Sequence, residues 1–202
     1  MQFVFALSPG SSVCYSGNED FGLLMNKMKS MYDIGVRSYA IFYDDISGDL
    51  QCEADQKRFG DEESPAAAAQ AYLLNRFQEE FIETNEDNER LITVPTEYSG
   101  LKDTAYKQLF GERVDPNVII DWTGPSVVSP EITGEHAQEA ADLFNHDLLI
   151  WDNYPVNDFE TSRLFLGPLE NRDSDLTEHG VLGITANPMI QAEASKIALY
   201  TV

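Results

Sequence analysis

The sequence predicts an α/β fold, a (β/α)8 barrel of the TIM type that is incomplete in this chain. Short apolar runs of strand character alternate with helical patterns along the 202 residues, as in a parallel sheet covered by helices. Polar or aromatic residues follow each run, as expected where the loops at one end of a barrel surround a site. Six such runs occur, whereas a complete barrel has eight strands and typically about 250 residues.

The six runs have the length and the β-branched or aromatic content of buried strands. They are Phe3–Leu7, Tyr39–Tyr43, Leu91–Val94, Val118–Trp122, Leu148–Trp151 and Val181–Ile184. Apolar residues at helical spacing, and prolines at first-turn positions, predict helices between or after them. These helices are Glu19–Met31, Pro65–Ile82, Thr104–Leu109, Gly134–Phe144 and Pro188–Leu199.

Two folds share this alternation, the doubly wound sheet and the barrel, and the strand ends distinguish them. A doubly wound sheet binds its ligand at one switch point, usually with a glycine-rich loop. No Gly-x-Gly-x-x-Gly or Walker loop occurs in the sequence. Functional-looking residues follow all six runs instead, from Ser8-Pro9-Gly10 to Asn187-Pro188. This distribution favours the barrel, whose loops form one site.

The charge of the chain argues against polyanionic partners. Asp and Glu number 35 against 13 Lys and Arg, a formal net charge of -22. Such a surface repels nucleic acid and anionic lipid, and no apolar run is long enough for a membrane helix. No nucleic-acid or membrane partner is therefore expected. The three histidines lack metal-ligand spacing, and Cys14 and Cys52 stand outside any paired motif, which leaves the redox compartment open.

Asp44 and Asp45 stand side by side at the end of the second strand and are the leading catalytic candidates. Successive side chains on a strand point to opposite faces, so two neighbouring carboxylates can serve two atoms of one ligand. Asp is also a good helix N-cap, and for the pair alone this structural interpretation stays open. The other strand ends supply carboxylates, Trp, Tyr and Asn, a set of side chains that suits a sugar.

Consecutive carboxylates differ from the usual glycosidase pair, which comes from separate positions that flank the anomeric carbon. They suit substrate-assisted hydrolysis, in which the 2-acetamido oxygen of the substrate attacks the anomeric carbon. One Asp then holds the amide while the other acts as the general acid.

Seven stretches of the chain resemble glycoside hydrolase family 84, the β-N-acetylglucosaminidases that include protein O-GlcNAcases and bacterial enzymes labelled hyaluronidases. They are FALSPG (5–10), GVRSYAIFYDDI (35–46), VPTEY (94–98), WTGPSVVS (122–129), IWDNYPVND (150–158), LGPL (166–169) and NPMIQAEASKIAL (187–199). The resemblance spans nearly the whole chain in the family's order. It implies a single catalytic barrel domain over residues 1–202, no cofactor or metal, and a GlcNAc-bearing glycan or glycoprotein as substrate.

The resemblance also implies a role for each matching residue. Asp44 would orient the 2-acetamido group as it forms an oxazoline, and Asp45 would be the general acid and then the general base. Seven residues would bind the substrate: Tyr98, Thr123, Val127, Trp151, Asn153, Asp158 and Asn187. Tyr98 and Asn153 would lie near the acetamido oxygen, and Asp158 would bind the 4- and 6-hydroxyls.

Neighbours of these residues have structural interpretations. Trp122 is expected to cap the core, and Glu97 is expected to anchor a loop. Asp152 and Asn157 are expected to make structural hydrogen bonds within their loop.

The first strand, Phe3–Leu7, matches the third strand of the family's barrel. The resemblance therefore implies an N-terminally truncated barrel that lacks a segment of its parent protein, and a bacterial enzyme that is secreted or at the cell surface. The leading function is a retaining exo-β-N-acetylglucosaminidase. A non-catalytic GlcNAc-binding remnant, or an inactive fragment of such an enzyme, is the alternative. A barrel hydrolase that acquired the Asp pair independently is a third possibility.

Overall fold

The computed structural model describes residues 3–202, in which strands and helices alternate. The strands are β1 (Val4–Leu7), β2 (Ser38–Phe42), β3 (Ile92–Val94), β4 (Ile119–Trp122), β5 (Leu148–Asp152) and β6 (Val181–Ala186). The α-helices are α1 (Asn18–Asp33), α2 (Glu53–Phe59), α3 (Pro65–Phe77), α4 (Ala105–Arg113), α5 (Gly134–Phe144) and α6 (Ala192–Leu199). A π-helical segment, Gln78–Ile82, continues α3, and a 3-10 helix, Leu176–His179, precedes β6.

The strands form one sheet in the order β1-β2-β3-β4-β5-β6. The pairs β1–β2, β2–β3, β3–β4 and β5–β6 are parallel, with Leu7 opposite Ile41 in the first of them. A doubly wound sheet reverses its strand order at a switch point, whereas a barrel keeps the order of the chain. The fold is an incomplete (β/α)8 barrel with six of its strands, as predicted.

The predicted elements are confirmed at nearly all positions. Each strand lies within two residues of its predicted bounds, and α5 matches its prediction at both ends. The prediction for Pro188–Leu199 was too long, because α6 begins at Ala192. Helix α2 was missed because its seven residues, EADQKRF, show no apolar periodicity. Within residues 3–202, no helix combines the length and the apolar character needed to cross a membrane.

One compact unit comprises the residues up to Glu97, Lys102–Ile120 and Leu143–His146. Its core is built on β2, where Tyr39, Ala40 and Ile41 have no exposed surface. After Pro65, the first turns of α3 are buried on all sides, because its five alanines and Gln70 are all buried. The second unit comprises Tyr98–Leu101, Asp121–Asp142 and Asp147–Val202. There Trp122 is fully buried and its Nε1 donates to the Gly100 carbonyl at 3.3 Å, which confirms it as a core residue.

A disulfide joins Cys14, in the loop between β1 and α1, to Cys52, the N-cap of α2. Sequence spacing did not reveal this pairing because 38 residues separate the two cysteines. Asp55 reinforces the connection, since its buried carboxylate accepts hydrogen bonds from the Tyr15 amide at 2.7 Å and the Ser16 amide at 2.8 Å. The loop that follows β2 is therefore tied to the loop that follows β1.

We expect the Cys14→Ser/Cys52→Ser double variant to be less stable than the wild type by about 2–4 kcal/mol, because an open chain gains entropy on unfolding. Serine retains a side-chain acceptor at the N-cap of α2, so the change isolates the cross-link. Urea unfolding measures the difference. The control is reductant, which should destabilise the wild type and leave the double variant unchanged. Equal stability of the oxidised and reduced wild type would contradict the prediction.

Candidate active site

Asp44 and Asp45 are the two central residues of a reverse turn that follows β2. The Ile46 amide donates to the Tyr43 carbonyl at 3.4 Å and closes the turn. Asp45 has a φ of 55°. A positive φ at the third position is the pattern of a type II turn, and Asp is one of the few residues other than glycine that adopt it readily. The turn thus presents two adjacent carboxylates on a tightly bent backbone.

This turn corrects both sequence-based interpretations of the pair. Strand β2 ends at Phe42, so the two side chains are not on alternate faces of a strand. Helix α2 begins at Glu53 with Cys52 as its N-cap, so the aspartates do not cap a helix. The physical reason is solvation, because two adjacent carboxylates cannot continue a buried strand without losing water.

The two carboxylates differ in their surroundings. Asp44 is half-buried, whereas Asp45 is exposed. Burial raises the pKa of the Asp44 carboxyl above its ordinary value, and the charge of Asp45 raises it further, while a backbone hydrogen bond lowers it. The pair therefore resists carrying two full negative charges at once.

Four of the predicted substrate-binding residues are joined through the side chain of Asn153. Trp151 Nε1 donates to Asn153 Oδ1 at 3.0 Å, and Asn187 Nδ2 donates to the same oxygen at 2.9 Å. Asn153 Nδ2 donates in turn to the Val127 carbonyl at 2.6 Å. These bonds fix the plane of the Asn153 amide between the ends of β5 and β6 and the loop after β4.

Thr123 and Val127 belong to this compact loop. Thr123 is buried, and its Oγ1 donates to the Ser126 carbonyl at 3.0 Å. The Ser129 hydroxyl donates to the Thr123 carbonyl at 3.0 Å and closes the loop. Gly124 has a φ of 102°, and a Cβ there would lie 2.3 Å from Ser129 Oγ, so the loop requires glycine. Val127 is left 46% exposed at the surface of this loop.

Tyr98 is half-buried at the beginning of the second unit, and its carbonyl accepts a hydrogen bond from the Thr123 amide at 3.0 Å. The neighbouring residue Glu97 belongs to the first unit. Its carboxylate accepts a hydrogen bond from Oγ1 of Thr104, the N-cap of α4, at 2.6 Å. Glu97 is thus a loop-anchoring carboxylate, as predicted.

Asp158 is exposed at the beginning of a turn that Asn157 holds in place. The fully buried Asn157 donates through Nδ2 to the Arg163 carbonyl at 2.8 Å and to Gln191 Oε1 at 3.0 Å. These contacts confirm the structural role expected of Asn157. They also fix the backbone from which Asp158 projects.

Sequence reasoning missed Arg172, which forms an ion pair with the buried carboxylate of Asp152. The distances are 2.6 Å from Arg172 Nε to Asp152 Oδ2 and 2.8 Å from Nη2 to Oδ1. Arg172 Nη2 also donates to the Ser129 carbonyl at 3.0 Å. One guanidinium therefore ties the residue before Asn153 to the end of the loop after β4. Asp152 has the structural role expected of it, but no sequence spacing identified its partner.

The raised pKa of Asp44 makes the stability of the protein depend on pH. A carboxyl with a higher pKa in the folded state holds more protons there than in the unfolded chain, so stability falls as pH rises from the unfolded toward the folded pKa. We expect Asp44→Asn to be more stable than the wild type at about pH 7. This gain should disappear below the ordinary Asp pKa of about 3.9.

Chemical unfolding at about pH 7 and about pH 3 tests this expectation. The matched control is Asp61→Asn, which removes one exposed charge from the same acidic protein. A stability gain at neutral pH no larger for Asp44→Asn than for Asp61→Asn would refute the burial argument.

We expect Arg172→Met to destabilise the protein by about 3–5 kcal/mol, because it leaves the Asp152 carboxylate buried without its partner. The matched control is Arg113→Met, which breaks a bidentate pair with Glu62 on the surface. That loss should be at most about 1 kcal/mol. Equal losses in urea unfolding would show that burial does not distinguish the two pairs.

Comparison with known proteins places these residues in a family. All of the chain, residues 1–202, matches the family model of beta-N-acetylglucosaminidase. The Protein O-GlcNAcase of Rattus norvegicus is 32% identical over 207 residues, which are 100% of this chain and 22% of the rat protein.

Solved structures agree. A mutant of the O-GlcNAc hydrolase of Thermobaculum terrenum has a TM-score of 0.92 at 39% identity, over 100% of this chain and 42% of that one. A structure described as CpGH84B has a TM-score of 0.86 at 37% identity, over 99% of this chain and 34% of that one. The chain thus spans less than half the length of these relatives. Its sequence and its fold together show that it belongs to the beta-N-acetylglucosaminidase family of glycoside hydrolases.

Proposed function

We propose that the chain carries the catalytic carboxylates of a retaining exo-β-N-acetylglucosaminidase, which removes terminal β-linked GlcNAc from glycans or glycoproteins. The observation that carries the proposal is the turn after β2, in which Asp44 and Asp45 present two carboxylates from adjacent residues. Membership of the family supports the same assignment.

The proposed reaction has two steps. In the first, the acetamido oxygen of the substrate forms a bond to the anomeric carbon as the glycosidic bond breaks, and Asp45 gives its proton to the departing oxygen. Asp44 accepts a hydrogen bond from the amide N–H and orients the group as the oxazoline forms. In the second step, water attacks the anomeric carbon as the bond from that carbon to the acetamido oxygen breaks. Asp45 takes a proton from the water, and the electron pair of the broken bond restores the acetamido group. Two inversions at one carbon give overall retention.

The electrostatics of the turn suit this reaction. Partial burial makes the Asp44 carboxylate costly in the free protein, and the negative charge that Asp45 acquires as it gives up its proton adds repulsion. Positive charge develops on the acetamido group as the oxazoline forms, and this charge offsets both penalties. The interaction is therefore stronger in the transition state than with the bound substrate, which is the condition for accelerating the chemical step.

In this proposal, seven further residues bind the sugar. Thr123, Val127 and Trp151 line the pocket of the acetamido methyl, and Tyr98 lies near the acetamido oxygen. Asn153 also lies near the acetamido oxygen, and the hydrogen bonds that fix its amide support this role. Asp158 binds the 4- and 6-hydroxyls, with Asn187 beside it.

Asp45→Asn is expected to slow hydrolysis of substrates with poor leaving groups by about 10²- to 10⁴-fold, because no proton reaches the departing oxygen. Aryl glycosides with acidic phenols need little protonation and should be least affected. Steady-state kinetics of the natural protein that contains these residues, with a series of aryl β-GlcNAc substrates, measures the trend. The matched control is Asp49→Asn, an exposed carboxylate in the same loop.

Three outcomes would overturn parts of the proposal. An equal loss for every leaving group would exclude Asp45 as the acid. A product of inverted anomeric configuration, seen by NMR, would exclude retention and favour an independent type of barrel hydrolase. Binding of GlcNAc without turnover by the wild type would identify a glycan-binding protein instead of an enzyme.

A further inference from the structure

A half-buried threonine, Thr96, holds the turn that carries Asp44 and Asp45. Thr96, two residues after β3, donates through Oγ1 to the Tyr43 carbonyl at 3.1 Å. The same carbonyl accepts the bond from the Ile46 amide that closes the turn. The peptide before Asp44 is therefore held from outside the turn as well as from within it.

Thr96 forms a closed ring of hydrogen bonds with Gln70 and Tyr106. Gln70 Nε2 donates to Thr96 Oγ1 at 2.8 Å, and the Thr96 amide donates to the Tyr106 hydroxyl at 2.9 Å. The Tyr106 hydroxyl donates in turn to Gln70 Oε1. Because Thr96 Oγ1 accepts from Gln70, its single hydrogen is directed to the Tyr43 carbonyl. The direction of every bond in the ring is thus determined.

Two of the three members of the ring lie in the core, and the ring keeps its protons. Gln70 has no exposed surface, and Tyr106 is also buried. Burial raises the pKa of Tyr106 well above its ordinary value, so its hydroxyl stays protonated throughout the pH range in which carboxylates titrate. The bonds connect α3, α4 and the end of β3 to the end of β2. They therefore form a rigid support that does not titrate with the carboxylates.

These hydrogen bonds hold the backbone just beyond the last hydrogen bond between β2 and β3. The Tyr43 amide still donates to the Val94 carbonyl at 2.8 Å, which continues the ladder between β2 and β3. Beyond it the backbone turns, and Asp45 takes the positive φ that few side chains adopt. Such a conformation persists only where the surroundings hold it.

We propose that Thr96 is a positioning residue for the Asp44–Asp45 pair, oriented by Gln70 and Tyr106. Thr96 fixes the peptide before Asp44 and, through it, the directions in which both carboxylates project. The inference rests on the proposed function for its kinetic consequences, and on the observed contacts for its structural ones.

The same pair of strands supplies a matched control. Thr93, on β3, donates through Oγ1 to the Ile41 carbonyl at 2.8 Å and has no exposed surface. The bond at Thr93 has the same chemistry as the bond at Thr96, and it also joins β3 to β2. It ends two residues before Tyr43, in the regular part of the strand.

The test compares Thr96→Val with Thr93→Val in the natural protein that contains these residues. Each change removes one hydroxyl and keeps the side-chain shape. Thr96→Val should lower kcat by about 10²-fold with little change in KM, because misplaced catalytic groups slow the chemical step. The loss should be greatest for poor leaving groups. Thr93→Val should keep the wild-type kcat at a similar loss of stability, and Thr96→Ser should restore most of the activity.

A second measurement does not depend on turnover. Titration of Asp44 by NMR should show a lower pKa in Thr96→Val than in the wild type, because a loosened turn is better solvated. Thr93→Val should leave that titration unchanged. If Thr96→Val does not fold, Tyr106→Phe keeps the Thr96 hydroxyl but weakens the ring that orients it, and it should change both measurements in the same direction by a smaller amount.

The outcomes separate the two hypotheses. An inactive wild type with a shifted Asp44 titration in Thr96→Val would reject the proposed function and retain the positioning role. If the wild type is active, and Thr96→Val has the same kcat and the same Asp44 titration as the wild type, only the positioning role is rejected. Equal losses of kcat in Thr96→Val and Thr93→Val would also reject the positioning role, because both losses would then follow from reduced stability alone.

Discussion

The carbonyl group of Tyr43 is the point on which the candidate catalytic pair depends. A parallel sheet satisfies its backbone groups through neighbouring strands, and at the end of β2 this supply stops. The carbonyl oxygen then receives one hydrogen from its own turn and one from Thr96. A buried carbonyl with two donors has little freedom to rotate. The fixed orientation of this carbonyl determines the directions in which the side chains of Asp44 and Asp45 project.

The two compact units stabilise their candidate residues by different chemistry. In the first unit, the groups that hold Tyr43 are neutral, and two of them, Gln70 and Tyr106, are buried, so moderate changes of pH do not alter their charge. In the second unit, the central contact is ionic, between Arg172 and Asp152, and the Asn153 amide lies next to it in sequence. Only in the second unit, therefore, does the support of the candidate residues depend on two opposite charges remaining paired.

Much of the fold could be predicted from sequence because each β-strand is short, apolar and followed by polar residues. Burial on both faces requires that composition in a parallel sheet, so the pattern of β2 is visible without any neighbours. The turn at Asp44 and Asp45 could not be predicted in the same way. The residue that holds it, Thr96, lies 53 positions from Tyr43 along the chain. The disulfide and the Arg172–Asp152 pair were missed for the same reason, since each joins distant segments. The roles of the candidate residues came from resemblance to a family and not from periodicity, and they remain predictions.

The alanine-rich beginning of α3 has a consequence for how the sequence of this protein can vary. Ala67 and Ala69 are fully buried beside Gln70, so neighbouring segments approach the helix backbone as closely as a methyl group permits. A larger residue at Ala67 or Ala69 is therefore expected to push the helix away from its neighbours and to move the Gln70 amide away from Thr96. Small side chains at these two positions thus support the hydrogen bond from Gln70 to Thr96, although they carry no polar group of their own.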